Sequence, residues 1–446
     1  MHRSPQSVNG GPMSGGSERE RWDTLKRQPG LIHPRWGDLS RGDAVRLTGI
    51  PPVKGGYRER HPYCVHLSVT GRCNARCRGC VNSAITFRNN SDSFRSSERD
   101  TNPERDTAAI LKLLRGLNEK EIVLAFYGGE PFLLPEKMQA VISILSSRKH
   151  PFRFRYMVYS NGQLLERAIK GYPDLISRIW LYAISIDGTR EQHNRERLGT
   201  DLEVIHSNLE RLQPLRRGAV LMWSTLRENQ SLADCFEEFL ALHGKGWADQ
   251  FFWHWEETEQ SFESFESYAE RYESDLRHIV DTYLAWLSEG KLLPIVHLNE
   301  LILYLLTAKS RGSSACGVER AHNLDLLGGQ VLACADLPPE FALGKITENG
   351  EPMIREMDLR PLTRYKEDLG CYECGVHSYC GGRCPVQALT GGEKRTWQYC
   401  QLMRIHVGTV MQALPRLRHL LLQSDLTLQD IYDRSAFYAQ FTDVTP

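Results

Sequence analysis

Cys73-Asn-Ala-Arg-Cys77-Arg-Gly-Cys80 places three cysteines on one short segment. The run before it, Tyr63 to Thr70 (YCVHLSVT), is apolar and alternating, which predicts a strand with the cysteines on the loop at its carboxyl end. Three thiolates on one loop can hold three irons of a four-iron cluster and leave the fourth open to a ligand. Zinc is the alternative, but zinc usually takes paired cysteine or cysteine–histidine sets, which these unequal gaps fit poorly.

Length and composition narrow the class of protein. The chain has 446 residues, enough for two or more domains. Its 55 basic and 55 acidic residues balance, so charge gives no reason to expect a nucleic acid or a membrane as partner. No apolar run approaches the ~20 residues of a membrane span, and the amino terminus lacks the apolar core of a secretory signal. Twelve cysteines without such a signal indicate a reducing compartment, and we expect a cytoplasmic protein whose cysteines mostly bind metal.

Strand and helix patterns alternate from residue 63 to about 256. Strands are expected at 63–70, 122–128, 155–160, 179–187, 219–226 and 251–256, with helices between them at 106–117, 135–147, 202–212 and 232–243. This alternation predicts an α/β fold with a parallel sheet, a partial (β/α)6 barrel of the TIM type.

Changes in composition predict five regions. Residues 1–60 form an amino-terminal extension that is partly disordered, and 61–260 form the barrel. A helical linker at 261–310 is followed by a cysteine-rich domain at 311–405 and by a helix and tail at 406–446.

Polar or glycine-rich residues end several of the predicted strands. In parallel α/β folds the chemistry gathers at the carboxyl ends of the strands. Each such turn taken alone is an ordinary loop, but together these turns predict a site at one edge of the sheet. Two residues at this edge, His254 and Glu256, would bind substrate or move a proton. The residues are Gly128, Gly129 and Glu130; Ser160 and Asn161; Ser185 and Asp187; and His254 and Glu256.

A second set of cysteines follows the barrel. Seven thiols divide badly into zinc sites of four ligands, although His377 could complete a set. Cys64 and Cys235 lie outside both sets and are expected to be ordinary buried thiols. The set consists of Cys316, Cys334, Cys371, Cys374, Cys380, Cys384 and Cys400.

The first cysteine motif resembles that of the radical SAM enzymes, and the later cysteine spacing resembles the SPASM domain. The resemblance covers residues 63–405 and implies that Cys73, Cys77 and Cys80 hold a [4Fe-4S] cluster that binds S-adenosylmethionine and cleaves it to a 5′-deoxyadenosyl radical. One departure is Gly79, where the family usually has an aromatic residue that contacts the adenine.

The resemblance also assigns cofactor contacts at the strand ends. It gives the loop of Gly128, Gly129 and Glu130 to the amino group of the methionine. It gives the fourth-strand motif to the carboxylate or ribose of the cofactor, with Arg195 preferred over Arg197. The cofactor-binding residues expected on this basis are Gly128, Gly129, Glu130, Ser160, Asn161, Ser185, Asp187 and Arg195.

The SPASM resemblance implies two auxiliary [4Fe-4S] clusters. Cys371, Cys374, Cys380 and Cys400 would hold one, and Cys316, Cys334 and Cys384 would hold the other, nearer the active site. Sulfatase-maturing relatives have an extra cysteine for the inner cluster, and residues 317–333 contain none, so an open iron or a ligand such as Glu319, His322 or Asp325 is expected. Those relatives also have an aspartate base directly after the second cysteine. Here Ala335 intervenes, which makes Asp336 a shifted candidate for that catalytic role.

These resemblances imply an oxidoreductase that acts on a peptide or protein and takes electrons from a flavodoxin- or ferredoxin-type donor. Oxidative cross-linking or dehydrogenation of a ribosomally made peptide is the main hypothesis, and formylglycine formation on a sulfatase is the alternative. A small-molecule substrate also remains open. The rival from another class is a non-catalytic iron–sulfur electron carrier.

Overall fold

The computed structural model describes residues 56–80, 99–257, 260–307, 309, 311–320, 323–337, 341–356, 358–390 and 392–442. The predicted amino-terminal extension, with the disorder expected in part of it, lies outside these ranges up to residue 55. So does His322, one of the alternative cluster ligands.

Within the described ranges, ten strands form one sheet. The six strands predicted from the sequence are present, with ends that differ by up to two residues; the fourth ends at Ser185, so Asp187 lies just beyond it. The strands are β1 (Tyr63–Thr70), β2 (Glu121–Gly128), β3 (Arg153–Ser160), β4 (Ile179–Ser185), β5 (Ala219–Leu226), β6 (Gln250–Trp255), β7 (Asn323–Leu327), β8 (Gln330–Leu332), β9 (Ala342–Ile346) and β10 (Pro352–Ile354).

The strand order is β10-β9-β8-β7-β1-β2-β3-β4-β5-β6. Strands β1 to β6 pair in parallel, which confirms the predicted partial barrel. The sequence did not predict that β7 pairs in parallel with β1, while β8, β9 and β10 add antiparallel strands. The cysteine-rich region is therefore continuous with the barrel sheet, and its loops reach the edge at which the parallel strands end.

Fourteen α-helices occur in the described residues. Short polar side chains cap several of them; Asn102 accepts a hydrogen bond from the backbone nitrogen of Arg105, and Ser231 from that of Asp234. The helices are α1 (Pro103–Leu113), α2 (Pro135–Ser147), α3 (Leu165–Gly171), α4 (Pro173–Arg178), α5 (Arg190–Glu196), α6 (Leu202–Leu212), α7 (Leu232–Gly244), α8 (Phe265–Ser288), α9 (Val296–Thr307), α10 (Pro361–Asp368), α11 (His377–Cys380), α12 (Pro385–Thr390), α13 (Glu393–Gln423) and α14 (Leu428–Arg434).

The long helix α13 begins inside the predicted cysteine-rich domain and runs through the expected boundary at 405. It packs along α8, so the cysteine-rich region and the helical linker share one apolar core with the barrel. After α14, a 3₁₀ segment (Ala436–Phe441) returns to the barrel, where Phe441 contacts Trp180 edge to face. No helix in the described part of the chain is long and apolar enough to cross a membrane.

Candidate active site

A cavity of about 340 Å³ lies where the parallel strands meet the cysteine-rich region. Cys73, Cys77 and Cys80 are on its wall, and so are Cys316, Cys334 and Cys384. These two sets of three cysteines therefore line the same cavity. Most of the residues predicted from strand ends also line it, namely Gly128, Gly129, Ser160, Asn161, Ser185 and His254, and so does Asp336, the candidate base.

The loop that carries the first three cysteines is fixed by backbone contacts. The backbone nitrogens of Arg76 and Arg78 donate to the carbonyl oxygens of Leu198 and Glu196 at 2.7 and 2.9 Å. The guanidinium of Arg227 donates to the carbonyl of Arg78 at 2.8 and 3.0 Å. A loop held from several sides keeps its thiols in place before any metal binds, which reduces the entropy lost on binding.

Glu130 lies behind the cavity wall rather than on it. Its carboxylate accepts hydrogen bonds from the backbone nitrogens of Phe132 and Asn161 at 3.1 and 2.8 Å, and from the Ser160 hydroxyl at 2.9 Å. Burial raises the pKa of Glu130 to about 7, although the three hydrogen bonds act to lower it. This side chain therefore joins the ends of β2 and β3, and the contact of its loop with the amino group of the methionine stays a prediction. Gly129 packs so closely that a Cβ there would overlap the Arg72 carbonyl.

Asp187 is fully buried and holds two arginines. Arg197 donates to both of its carboxylate oxygens at 2.8 and 3.0 Å, and Arg227 donates to one at 2.9 Å. Burial raises the pKa of Asp187, but the two arginines outweigh burial and hold it far below its usual value. Arg197 and Arg227 line the cavity and Asp187 does not, so the aspartate positions two cations that face the chamber.

Arg195, the arginine preferred from the sequence, lies elsewhere. Its side chain is 40% exposed, donates to Glu196 at 2.8 Å and does not line the cavity. Of the two candidate arginines, Arg197 therefore faces the cavity and Arg195 does not; the contact of either one with the cofactor stays a prediction.

His254 lines the cavity with both ring nitrogens engaged. Nδ1 is 3.0 Å from the carbonyl oxygen of Trp255, which can only accept, so Nε2 accepts from the Thr225 hydroxyl at 3.0 Å. Burial, helped by the charge of Arg383, lowers the pKa of His254 to about 3. The imidazole is therefore neutral and positioned by its neighbours.

Glu256 lies against the cysteine loop and not on the cavity wall. Gly79 has a φ of 58°, and a Cβ built there would overlap the Glu256 carboxylate. Burial raises the pKa of Glu256. Gly79, at the position where the resemblance leads us to expect an aromatic residue, thus makes room for the carboxylate of Glu256, the residue after β6.

Sequence reasoning missed His66 and Arg227 in the cavity. His66 Nδ1 lies 2.9 Å from Asp325, which had been considered only as a cluster ligand. A histidine in the middle of an apolar strand was the available signal for His66. Arg227 directly follows β5, whose end the strand-end argument had passed over. Among the other alternative ligands of the inner cluster, Glu319 forms an ion pair with Lys366 at 2.8 Å and accepts a hydrogen bond from the backbone nitrogen of Ser314.

A smaller cavity of about 40 Å³ lies behind the first. Cys371, Cys374, Cys380 and Cys400 line it, and Cys384 lies on the walls of both cavities. Cys371 lies near Cys374, Cys380 and Cys400, and Cys334 lies near Cys316 and Cys384, which is compatible with the two predicted sets; their assignment to two clusters stays a prediction.

The residues fit the implied iron–sulfur groups by donor chemistry. Burial raises the pKa of Cys73 to about 11 and that of Cys400 to about 12, so these thiols would release protons on binding iron. Among the described residues, no three His, Cys, Asp or Glu side chains converge on the position of a metal ion. The cysteines therefore suit iron–sulfur clusters for two reasons: the members of each predicted set line a common cavity, and thiolate is the ligand that such clusters take.

The described strands form an open β/α barrel, and ten cysteines line the two cavities described above. Residues 67–230 match the radical SAM superfamily. Among solved structures, tagged anSMEcpe with bound AdoMet is 17% identical with a TM-score of 0.65, over 84% of this chain and 99% of that one. Native anSMEcpe with bound AdoMet and Cp18Cys peptide is 16% identical with a TM-score of 0.62, over 81% and 99%. A comparison with curated proteins gave no match.

The chain therefore carries a radical SAM domain, and the region behind it has the cysteine pattern of a SPASM domain. A domain of this family uses a four-iron cluster and S-adenosylmethionine, which confirms those cofactors. Cys73, Cys77 and Cys80 would hold that cluster. The assignments of individual side chains to the cofactor or to substrate remain predictions.

Proposed function

We propose that this protein oxidatively modifies a ribosomally made peptide, by forming a cross-link or by dehydrogenation. A reduced four-iron cluster held by Cys73, Cys77 and Cys80 would give one electron to S-adenosylmethionine, and the resulting 5′-deoxyadenosyl radical would take one hydrogen atom from the peptide. Loss of the second hydrogen would send its electron to an auxiliary cluster and its proton to a base or to solvent. The observation that carries the proposal is the single chamber of about 340 Å³ with Cys73, Cys77 and Cys80 on one part of its wall and the thiols of the inner set on another. A substrate residue held there would lie between two iron–sulfur centres.

The wall of the chamber suits a peptide side chain. Tyr159 and Trp223 on this wall are in edge-to-face contact, with centroids 5.5 Å apart, and Phe252 packs on Trp223 at 4.6 Å without lining the cavity itself. Arg197 and Arg227 offer cationic donors to a carboxylate. An apolar wall with a few fixed polar groups excludes water from a reactive intermediate and orients the substrate. The fold is shared with anSMEcpe, which has been solved with a bound peptide.

The second candidate function is formylglycine formation on a sulfatase, because Asp336, the candidate base, lies on the cavity wall. A carboxylate at this point could take a proton from a substrate hydroxyl or thiol. For either reaction we propose a flavodoxin- or ferredoxin-type donor of electrons and a reducing compartment such as the cytoplasm, where twelve cysteines can persist without forming disulfide bonds.

Two measurements test the proposal. The reconstituted, reduced protein is incubated with S-adenosylmethionine, and 5′-deoxyadenosine is quantified. Cys77→Ala should abolish the product and retain the carboxyl-terminal clusters, whereas Cys235→Ala, a buried thiol outside both sets, should behave as the unchanged protein. No 5′-deoxyadenosine from the unchanged protein would support the electron carrier instead.

The substrate is tested by co-expression with the short reading frames that neighbour the gene, followed by mass spectrometry. Loss of two hydrogens from one peptide would support the proposal. Conversion of a serine or cysteine to formylglycine on a sulfatase peptide would establish the second candidate, and no change in either kind of peptide would contradict both.

A further inference from the structure

Arg383 lies between the two sets of carboxyl-terminal thiols. It lines the smaller cavity with Cys371, Cys374, Cys380 and Cys400, and the next residue, Cys384, lies on the wall of both cavities. Arg383 is buried, with 7% of its surface exposed. A permanent cation is therefore enclosed where the two auxiliary clusters would approach each other.

The backbone at Arg383 is in an unfavourable conformation. Its φ is 58°, and in the described ranges it is the one residue other than glycine with a positive φ. Gly381 and Gly382, directly before it, also have positive φ values, of 65° and 92°. A third glycine would adopt this turn at lower conformational cost, so an arginine here indicates that its side chain is needed.

The guanidinium is held in one orientation. Its two terminal nitrogens lie 3.1 and 3.0 Å from the two carboxylate oxygens of Glu257, and its carbon lies 3.8 Å from the centre of the Tyr399 ring. Glu257 lines the larger cavity, so the ion pair reaches from one thiol set to the other. Bidentate pairing and stacking together fix the charge in space.

The positive charge of Arg383 lies near cysteines of both sets. Arg383 shares the smaller cavity with Cys380 and Cys400, and Cys384, the next residue in the chain, also lines the larger cavity with Cys316 and Cys334. A cation favours whichever state of a neighbouring group carries more negative charge. Reduction of an iron–sulfur cluster adds negative charge, and charge and burial are among the factors that set its potential.

We propose that Arg383 is the fixed cation that raises the reduction potentials of both auxiliary clusters, with Glu257 as its counter-charge. The proposal rests on the auxiliary clusters and not on the identity of the substrate. Potentials are measured without substrate, so failure of the proposed peptide reaction would leave this inference standing, and the reverse also holds.

The test is a redox titration of the reconstituted protein followed by electron paramagnetic resonance. Arg383→Met keeps side-chain bulk and removes the charge, and we expect the reduced-to-oxidised ratio of each auxiliary cluster at fixed potential to fall roughly tenfold, about 59 mV for a one-electron couple. Arg383→Lys should stay closer to the unchanged protein. Glu257→Gln removes the counter-charge and should shift both potentials upward.

Arg211→Met is the matched control, because that arginine pairs with Glu166 on the outer helices and should shift neither cluster. Unchanged potentials in Arg383→Met, or a shift in only one cluster, would overturn the proposal. If Arg383→Met fails to take up iron, Glu257→Gln decides: an upward shift of both clusters supports the shared cation, and any other result refutes it.

Discussion

His66 Nδ1 lies 2.9 Å from the Asp325 carboxylate, and this contact joins β1 of the barrel to β7 of the cysteine-rich region. The two residues are direct neighbours in the parallel register. The second carboxylate oxygen of Asp325 accepts from the backbone nitrogen of Ala335 at 2.6 Å, in the turn that holds Cys334. One buried ion pair therefore connects the first strand to the loop of the inner thiol set.

Asp325→Asn should destabilise the protein most at low pH. Burial lowers the pKa of His66, but Cys64 and Asp325 outweigh burial and hold it well above its usual value. A raised pKa contributes stability in full below about 6.5, and the contribution is lost as pH rises through the folded-state pKa. We expect a loss of about 1–3 kcal/mol at pH 6.5 and a smaller loss at pH 8.5.

Anaerobic thermal unfolding at the two pH values measures this difference. His278→Gln, at an exposed histidine paired with Glu237, is the control and should change little at either pH. An equal loss in Asp325→Asn at both pH values would show that protonation of His66 does not contribute.

Arg197→Ala should weaken binding of S-adenosylmethionine by roughly ten- to a hundredfold. Asp187 holds this guanidinium on the cavity wall, and a charge-assisted hydrogen bond to the carboxylate of the cofactor is worth about 1.5–3 kcal/mol. Arg195→Ala is the matched control, since that side chain is directed to the surface, and it should change affinity less than about twofold. Anaerobic equilibrium binding distinguishes the two, and a larger effect from Arg195→Ala would restore the preference drawn from the sequence.

This choice between the two arginines shows where sequence reasoning ends. Residues two apart on a helix lie on opposite sides, so the helix end decides which arginine faces inward. The helix α5 ends at Glu196, and Arg197 turns into the cavity. The segment 185–195 resembled a family motif, but the motif did not determine that end.

The strands of the barrel could be predicted because each carries its own apolar pattern. The pairing of β7 with β1 could not, because β7 is short and its partner lies far away in the chain. The His66–Asp325 contact depends on that pairing and was missed with it. The thiol sets were predicted because cysteine spacing is a local property, whereas the occupied oxygens of Glu130 depend on three segments meeting.

Gly79→Ala should impair the first cluster, and Glu256→Ala should relieve part of the defect. A Cβ at Gly79 would overlap the Glu256 carboxylate, and a positive φ disfavours alanine by about 1 kcal/mol. Removing the carboxylate leaves only the backbone cost. Iron content and 5′-deoxyadenosine yield are measured for both single variants and the double variant. A double variant no better than Gly79→Ala would show that the two side chains do not compete for space.

Cys384→Ala and Cys400→Ala should remove different clusters. Cys384 interacts with Cys316, and Cys400 interacts with Cys374 and Cys380, although Cys384 borders both cavities. Three four-iron clusters give about 12 irons per chain, and each variant should retain about 8. The magnetic spectra of the two variants should lack different signals, because each loses one set of ligands and keeps the other. Loss of both auxiliary signals in Cys384→Ala would instead make Cys384 a ligand on which both sites depend.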